Sequence, residues 1–195
     1  MTKSILLVGV GGQGTILAGK ILTQALLGGG HNVKMSEIHG MSQRGGSVST
    51  HVRYADGGER VESPVIELGG ADLLVGFELM EALRWLEYAK PAATLIVNNY
   101  RINPVPVLTG KRDYPGNILD ELAAKIKTVP IDAFDEARTL GDPRAMNTLL
   151  LGAVVELSGL SALDWDAVIR AEVRQEYADL NKRAFARGRE LAGKG

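Results

Sequence analysis

The chain has 195 residues, the size of one ordinary domain and enough to bury a continuous core. It carries 22 Lys and Arg against 23 Asp and Glu, a net charge of −1, so no global basic field draws it to nucleic acid or anionic lipid. It has no cysteine, which excludes disulfides, cysteine-ligated zinc and cysteine-ligated iron–sulfur clusters in this chain and fits a cytoplasmic protein.

Ser4 to Val10 is a short apolar run and reads as a strand buried on both faces. It is too short for a signal-peptide core and breaks into glycines. Thr15 to Leu27 has helical periodicity, with Ile16, Leu17, Ile21, Leu22 and Ala25 or Leu26 on one side. Gly28-Gly29-Gly30 ends it, and Val33 to Ile38 is the next strand. Then the period changes. In Ser47 to Tyr54, Val48, Thr50, Val52 and Tyr54 face one way, and Ser49, His51 and Arg53 the other. Asp56-Gly57-Gly58 is a turn signal, so Arg60 to Val65 is expected to return as the antiparallel partner.

Alternation of strand and helix then resumes. Strands are expected over 72–77, 94–98 and 127–131, and helices over 78–88, 117–125 and 132–140. Pro91 is expected to stop the helix at Tyr88. Asn103 to Leu108 carries two prolines and is an edge strand at best. Asp142 reads as an N-cap with Pro143 at the first helical position, opening a helix that Gly159 closes. Asp164 to Leu191 reads as two helices or one bent one. No stretch approaches the roughly 20 apolar residues of a membrane span. The expected fold is one three-layer α/β/α, Rossmann-like domain over 1–195, with a mixed sheet, an inserted β-hairpin and a helical C-terminus.

"GVGGQG" follows the first strand and opens the first helix. Gly9, Gly11 and Gly14 satisfy G-x-G-x-x-G in the context that motif requires. Three readings fit: a phosphate or other anion at the helix N-terminus, a dinucleotide, or a tight turn with close helix packing. The acid that a dinucleotide site needs about 20 positions later would be Glu37. The amide of Gln13 and the hairpin after Glu37 speak against an ordinary NAD or FAD site. The three histidines His31, His39 and His51 lack metal-site spacing, and no metal site is expected.

At "VGVGGQG", "EIHGMSQRGGSVSTHVR", "MNTLLLGAVVE" and "LNKRAFARGREL" the sequence becomes specific. This ordered set resembles the gamma domain of 2-oxoacid:ferredoxin oxidoreductases, and within that family most resembles the beta subunit of indolepyruvate:ferredoxin oxidoreductase. The resemblance spans most of the chain. It implies a role in oxidative decarboxylation of a 2-oxoacid, an aryl pyruvate in the indolepyruvate branch, to an acyl-CoA, carbon dioxide and reduced ferredoxin. Thiamine diphosphate and iron–sulfur clusters carry that chemistry. A chain without cysteine cannot hold the clusters. Asp56-Gly57-Gly58 with Asn98-Asn99 lacks the order of a thiamine-diphosphate motif. The resemblance therefore implies an accessory subunit, not catalytic alone, with the cofactors on a large partner subunit, CoA as co-substrate and ferredoxin reached through the complex. A homodimer through a sheet edge is a further expectation.

The expected ligand-facing residues are Gly9, Gly11, Gly12, Gln13 and Gly14 of the first loop, and Gln43, Arg44, Gly45 and Gly46 of the second. Arg44 is read either as a fork onto a phosphate or carboxylate or as a subunit-interface residue. His39, at the end of the second strand, is the weak catalytic candidate. Asn147 is expected to cap or tie down the first glycine loop. A free-standing NAD- or FAD-binding protein, and a non-catalytic paralogue that binds a phosphate compound, stand as alternatives.

Overall fold

The computed structural model describes residues 1–40 and 45–194. In chain order the elements are β1 (Lys3–Val10), α1 (Thr15–Gly28), β2 (Asn32–His39), β3 (Ser47–Ala55), β4 (Ala71–Gly76), α2 (Leu79–Arg84), β5 (Ala89–Asn98), α3 (Val105–Leu108), α4 (Ile118–Lys125), β6 (Lys127–Ile131), α5 (Ala133–Leu140), α6 (Met146–Ser158), α7 (Trp165–Glu172) and α8 (Ala178–Ala192). The six strands form one sheet in the order β2-β3-β1-β4-β5-β6. β1, β4, β5 and β6 run parallel, and β3 runs antiparallel to both β1 and β2. No described helix is long and apolar enough to cross a membrane.

Period-two alternation feeds two cores from the same strands. Ile5 and Leu7 of β1 pack with Leu73, Val75 and Ile96 beneath α1, α6 and α8. Leu6 and Val8 pack with Leu74, Leu95 and Val97 beneath α2 and α4. The central helix is α6. From Met146 to Val155 every residue is buried, as a helix that is apolar nearly all round must be.

The mixed α/β sheet is the expected class, but the hairpin is built differently. β3 pairs with β2 on one side and β1 on the other, and residues 60–65 form no strand. β3 is buried on both faces, with Val48, Thr50 and Val52 toward one core and Ser49 and His51 toward the other, so it needs partners on both edges. Residues 60–65 cannot serve as a regular partner, because Pro64 has no N–H to donate. Their carbonyls instead accept from Arg53, whose Nη1 reaches Ser63 at 3.1 Å and Val65 at 3.2 Å.

Three other elements depart from expectation. The helix after β4 ends at Arg84 and continues only as a 3-10 turn at Leu86–Tyr88. Pro91 then lies inside β5, in the stretch where pairing jumps from Ala71↔Ala89 to Leu73↔Thr94, so no ladder bond needs its missing N–H. Residues 103–108 hold the short helix α3, because Pro104 is its N-cap and Pro106 falls in its first turn, where a missing N–H costs nothing. Ile16, placed on the apolar stripe of α1, is 39% exposed.

His51, expected on a polar face of the strand, is buried. Its Nδ1 accepts from the Ile66 N–H at 3.1 Å, its Nε2 lies 3.2 Å from Ser49 Oγ, and its ring meets Trp85 and Tyr88 edge-on. Burial holds the imidazole pKa below 6.5. Above pH 6.5 folded and unfolded chains are both neutral at this ring. Below it the unfolded chain takes up the proton first, so stability falls as the pH drops from 6.5 toward the folded-state pKa. Wild type should lose urea stability relative to His51→Gln over that interval, at up to about 1.4 kcal/mol per pH unit. A constant difference between the two proteins from pH 8 to 5 would remove this role from His51.

Candidate functional site

The parallel strands β1, β4, β5 and β6 all end on one side of the sheet, where α/β folds place their ligands. Residues 11–14 join β1 to α1 there. Gly12 and Gly14 have φ of 103° and 82°, backbone that only glycine adopts without strain. Gly14 is the N-cap of α1, and no side chain caps the helix. The Gly11 N–H donates to Gly46 O at 2.8 Å, and the Gln13 N–H to Val10 O at 3.1 Å. The N–H groups of Gly12 and Gly14, and those of Thr15, Ile16 and Leu17 in the first turn, have no protein partner among the described residues. They carry the positive end of the α1 dipole.

The loop is held from beneath. Gln13 is buried; its Oε1 accepts from the Val10 N–H at 2.7 Å and its Nε2 donates to Phe77 O at 2.9 Å. Asn98 Nδ2 donates to the same carbonyl at 3.1 Å, while Asn98 Oδ1 accepts from the Ala133 N–H. Two side-chain amides thus fasten the ends of β1, β4 and β5 together. Asn147 reaches the loop from α6, with Nδ2 3.5 Å from Gly14 O. A Cβ on Gly14 would lie 2.4 Å from that nitrogen.

The expected site residues therefore divide. Gly11, Gly12 and Gly14 shape the loop surface. Gly9 lies beneath it, because a Cβ there would meet Gln13 Oε1 and Phe77 Cβ at 2.9 Å. Gln13 has one bond at each end of its amide to backbone, from the Val10 N–H at the end of β1 and to the Phe77 carbonyl after β4, so it braces the loop, and it also lines the cleft. Gly46 joins the second loop to the first, and Gly45 takes a φ of 77° in the open. Gln43 and Arg44 lie outside the described residues. β3, which carries this loop, is pinned to α2 through Ser47, whose Oγ meets the Glu81 carboxylate and accepts from Trp85 Nε1 at 3.1 Å. His39 ends β2 with Nε2 3.6 Å from Glu37 Oε2.

Two clefts open from the glycine loop. One has a volume of about 700 Å³ and runs from Gly11–Gly14 toward α5 and α7. Its far wall is Tyr100 and Phe134, stacked with ring centroids 4.4 Å apart. Arg144 and Arg174 stand at its rim. Arg144 is tied to Asp142 at 2.6 Å and holds that carboxyl below the usual carboxylate range. Arg174 is looser, with Glu176 4.0 Å away. The other cleft is lined by Thr15, Ile16, Lys20, His39 and Gly40. N–H groups without a partner among the described residues, the Arg174 cation and a flat aromatic wall suit an anionic ligand with a planar part, while Asp142, paired with Arg144, and Glu172 line the same cleft. Tyr100, Phe134, Arg144 and Arg174 escaped sequence reasoning. The usable signal was position, since Tyr100 and Phe134 follow the ends of β5 and β6 just as the glycine loop follows β1.

Glu37 does not serve a dinucleotide site. That site needs the second strand beside the first, and here β3 lies between, which sets Glu37 about 10 Å across the sheet from β1. Nor do this chain's residues fit thiamine diphosphate. Asp56-Gly57-Gly58 is a turn at the opposite end of the sheet, since Lys3 pairs with Tyr54 there, and Asp56 is engaged by His31.

The profile of the pyruvate ferredoxin/flavodoxin oxidoreductase family matches residues 4–191. The indolepyruvate oxidoreductase subunit IorB of Thermococcus kodakarensis is 37% identical over 193 residues, covering 95% of this chain and 93% of the relative. Among solved structures, the gamma subunit of a keto/oxoacid ferredoxin oxidoreductase from Geobacter sulfurreducens aligns over 99% of both chains, with a TM-score of 0.74 and 24% identity. The 2-oxoglutarate:ferredoxin oxidoreductase of Magnetococcus marinus, solved with 2-oxoglutarate, coenzyme A and succinyl-CoA bound, aligns with a TM-score of 0.80 and 21% identity, over all of this chain but 31% of its own.

Proposed function

The chain belongs to the pyruvate ferredoxin/flavodoxin oxidoreductase family, and from that membership we propose how its geometry serves the reaction. It is an accessory subunit of a 2-oxoacid:ferredoxin oxidoreductase, and the indolepyruvate type is the reading its relatives favour. The observation that carries this is the near end-to-end match to a relative that is itself one subunit of such an enzyme. The larger partner supplies thiamine diphosphate and the iron–sulfur clusters, which this cysteine-free chain has no ligands to hold. Ferredoxin is reached through the complex, in the cytoplasm.

Within the complex, the glycine-loop cleft takes the phosphate end of coenzyme A. What supports this is the set of N–H groups at the start of α1 that have no partner among the described residues, beside a cleft with Arg144 and Arg174 at its rim. Arg44, four positions from Gly40 and next to Gly45, belongs to the loop that Gly46 fastens to Gly11. Its guanidinium adds a fork for the same phosphates. Arg44→Ala should raise the KM for CoA of the assembled enzyme by about 10-fold or more while leaving the fold unchanged. Unaltered assembly and steady-state kinetics would take Arg44 out of the site.

The reading as a whole is tested by co-expression with the cysteine-rich thiamine-diphosphate subunit of the same organism. A stable complex that co-purifies is the expected result. A chain that stays free, and gives calorimetric heat with NAD or FAD but none with CoA, would replace this reading with a dinucleotide-binding protein.

A further inference from the structure

Residues 99–117, between β5 and α4, form a long excursion with only α3 inside it. Its two ends are held by one buried carboxylate. Glu78, 1% exposed, accepts from the Ile102 N–H at 3.2 Å through Oε1, and the Tyr114 hydroxyl meets the same oxygen. Arg101 lies 4.2 Å over the Tyr114 ring and closes the base further. The tip has internal order: the N–H groups of Leu108 and Thr109 donate to Pro104 O and Val105 O at 3.0 Å, and those of Lys111 and Arg112 to Pro106 O. This is a loop with its ends clamped and its tip preformed.

The side chains on that tip point the wrong way for a free surface. Val105 and Leu108 are each 70% exposed, and Pro106 beside them is exposed too. Order in a loop normally comes from burying its apolar side chains. Here the backbone is ordered and the apolar groups are held outward, which is the form of a preorganised contact. The rim is basic: between Arg101 and Asp113 the segment has Arg101, Lys111 and Arg112 against Asp113, in a chain whose net charge is −1. Two such tips meeting across a two-fold axis would repel, so a second copy of this chain is a poor occupant. A partner with an apolar recess rimmed by carboxylates fits. Location adds to this. Tyr100 and Ile102, at the root of the loop, line the 700 Å³ cleft, so the loop that carries the tip also contributes to the wall of the site.

We propose that the 103–113 tip is the docking knob for the larger, cofactor-bearing subunit. The partner surface is an apolar recess ringed by Asp and Glu. This rests on the subunit reading above. It goes beyond it by naming the surface and the chemistry of the partner's face.

The test compares wild type, Val105→Asp/Leu108→Asp and Lys111→Glu/Arg112→Glu in titrations against the purified larger subunit. All the substituted positions are exposed, and circular dichroism and melting temperature should match wild type. The apolar double variant should bind on the order of 100-fold more weakly. The charge double variant should associate more slowly and lose most of the salt dependence of the wild-type on-rate. Wild-type affinity in the folded apolar variant would overturn the knob and leave the subunit reading standing. Failure of wild type itself to bind would overturn both. A wild-type homodimer that the apolar variant breaks, with hetero-assembly unchanged, would assign the tip to a second copy instead.

Discussion

Gly188→Ala should sharply lower the urea midpoint of unfolding. A Cβ at this position in α8 would lie 1.8 Å from Leu149 O and 2.7 Å from its carbonyl carbon, both backbone of α6. The contact is reciprocal: a Cβ on Gly152 of α6 would lie 2.1 Å from Phe185 O. Neither neighbour is a side chain that can rotate away. The helices must separate, and α6 is the element around which the larger core packs, with Leu149, Leu150 and Leu151 fully buried. Overpacking with yielding neighbours typically costs about 1–3 kcal/mol. With backbone on both sides, a loss of about 4 kcal/mol or more is expected, a large share of the roughly 5–15 kcal/mol typical of a domain. Gly152→Ala should behave alike. Gly28→Ala, at the end of α1 with nothing within 4 Å of its Cβ, should be neutral or stabilise slightly. Urea denaturation of the three variants separates the cases. A Gly188→Ala protein within 1 kcal/mol of wild type, on the order of ordinary surface changes, would mean that α6 and α8 are not packed backbone to backbone.

Gln13→Ala should lose about 2–4 kcal/mol, and ligand binding with it. Among the described residues this amide alone bonds both the Val10 N–H and Phe77 O, and its removal leaves the ends of β1 and β4 without that brace. Gln13→Glu should not rescue it. A carboxylate can accept from Val10, but its second oxygen would face the Phe77 carbonyl, acceptor against acceptor. The discriminating result is thermal. If Gln13→Ala melts like wild type and only affinity falls, the amide serves a ligand; if melting falls first, it serves the loop, as its two bonds indicate.

Much of this was legible because it is local. Lys127 to Ile131 is the expected strand, and Gly159 closes α6 in a left-handed conformation; Asp142 does cap, with its carboxylate on the Arg144 N–H, but it caps the 3-10 turn Pro143–Ala145, and α6 itself starts only at Met146. The glycine loop could be placed between a strand and a helix for the same reason. What escaped depends on neighbours distant in sequence. The alternation in Ser47–Tyr54 marks a strand but does not say which strands flank it, so the insertion of β3 between β2 and β1 could not be read. His51 looked solvent-facing because its alternation partners are polar, and only the cover of Trp85, Tyr88 and Ile66 makes that face an interior. Pro91 reads as a helix stop and Pro104 as part of an edge strand, yet the first sits in a register shift inside β5 and the second caps α3. The Tyr100–Phe134 stack joins the ends of two strands, and nothing in either residue's local sequence announces the other.

The central claim is that this chain completes a 2-oxoacid:ferredoxin oxidoreductase and does no redox chemistry alone. The direct measurement is anaerobic reduction of ferredoxin, or of a viologen dye, with indolepyruvate and CoA, using this chain, its thiamine-diphosphate partner, and the two together. The account predicts CoA-dependent reduction by the pair and none by this chain alone. Full activity from the partner by itself, or no activity from a well-formed complex with any 2-oxoacid, would contradict it.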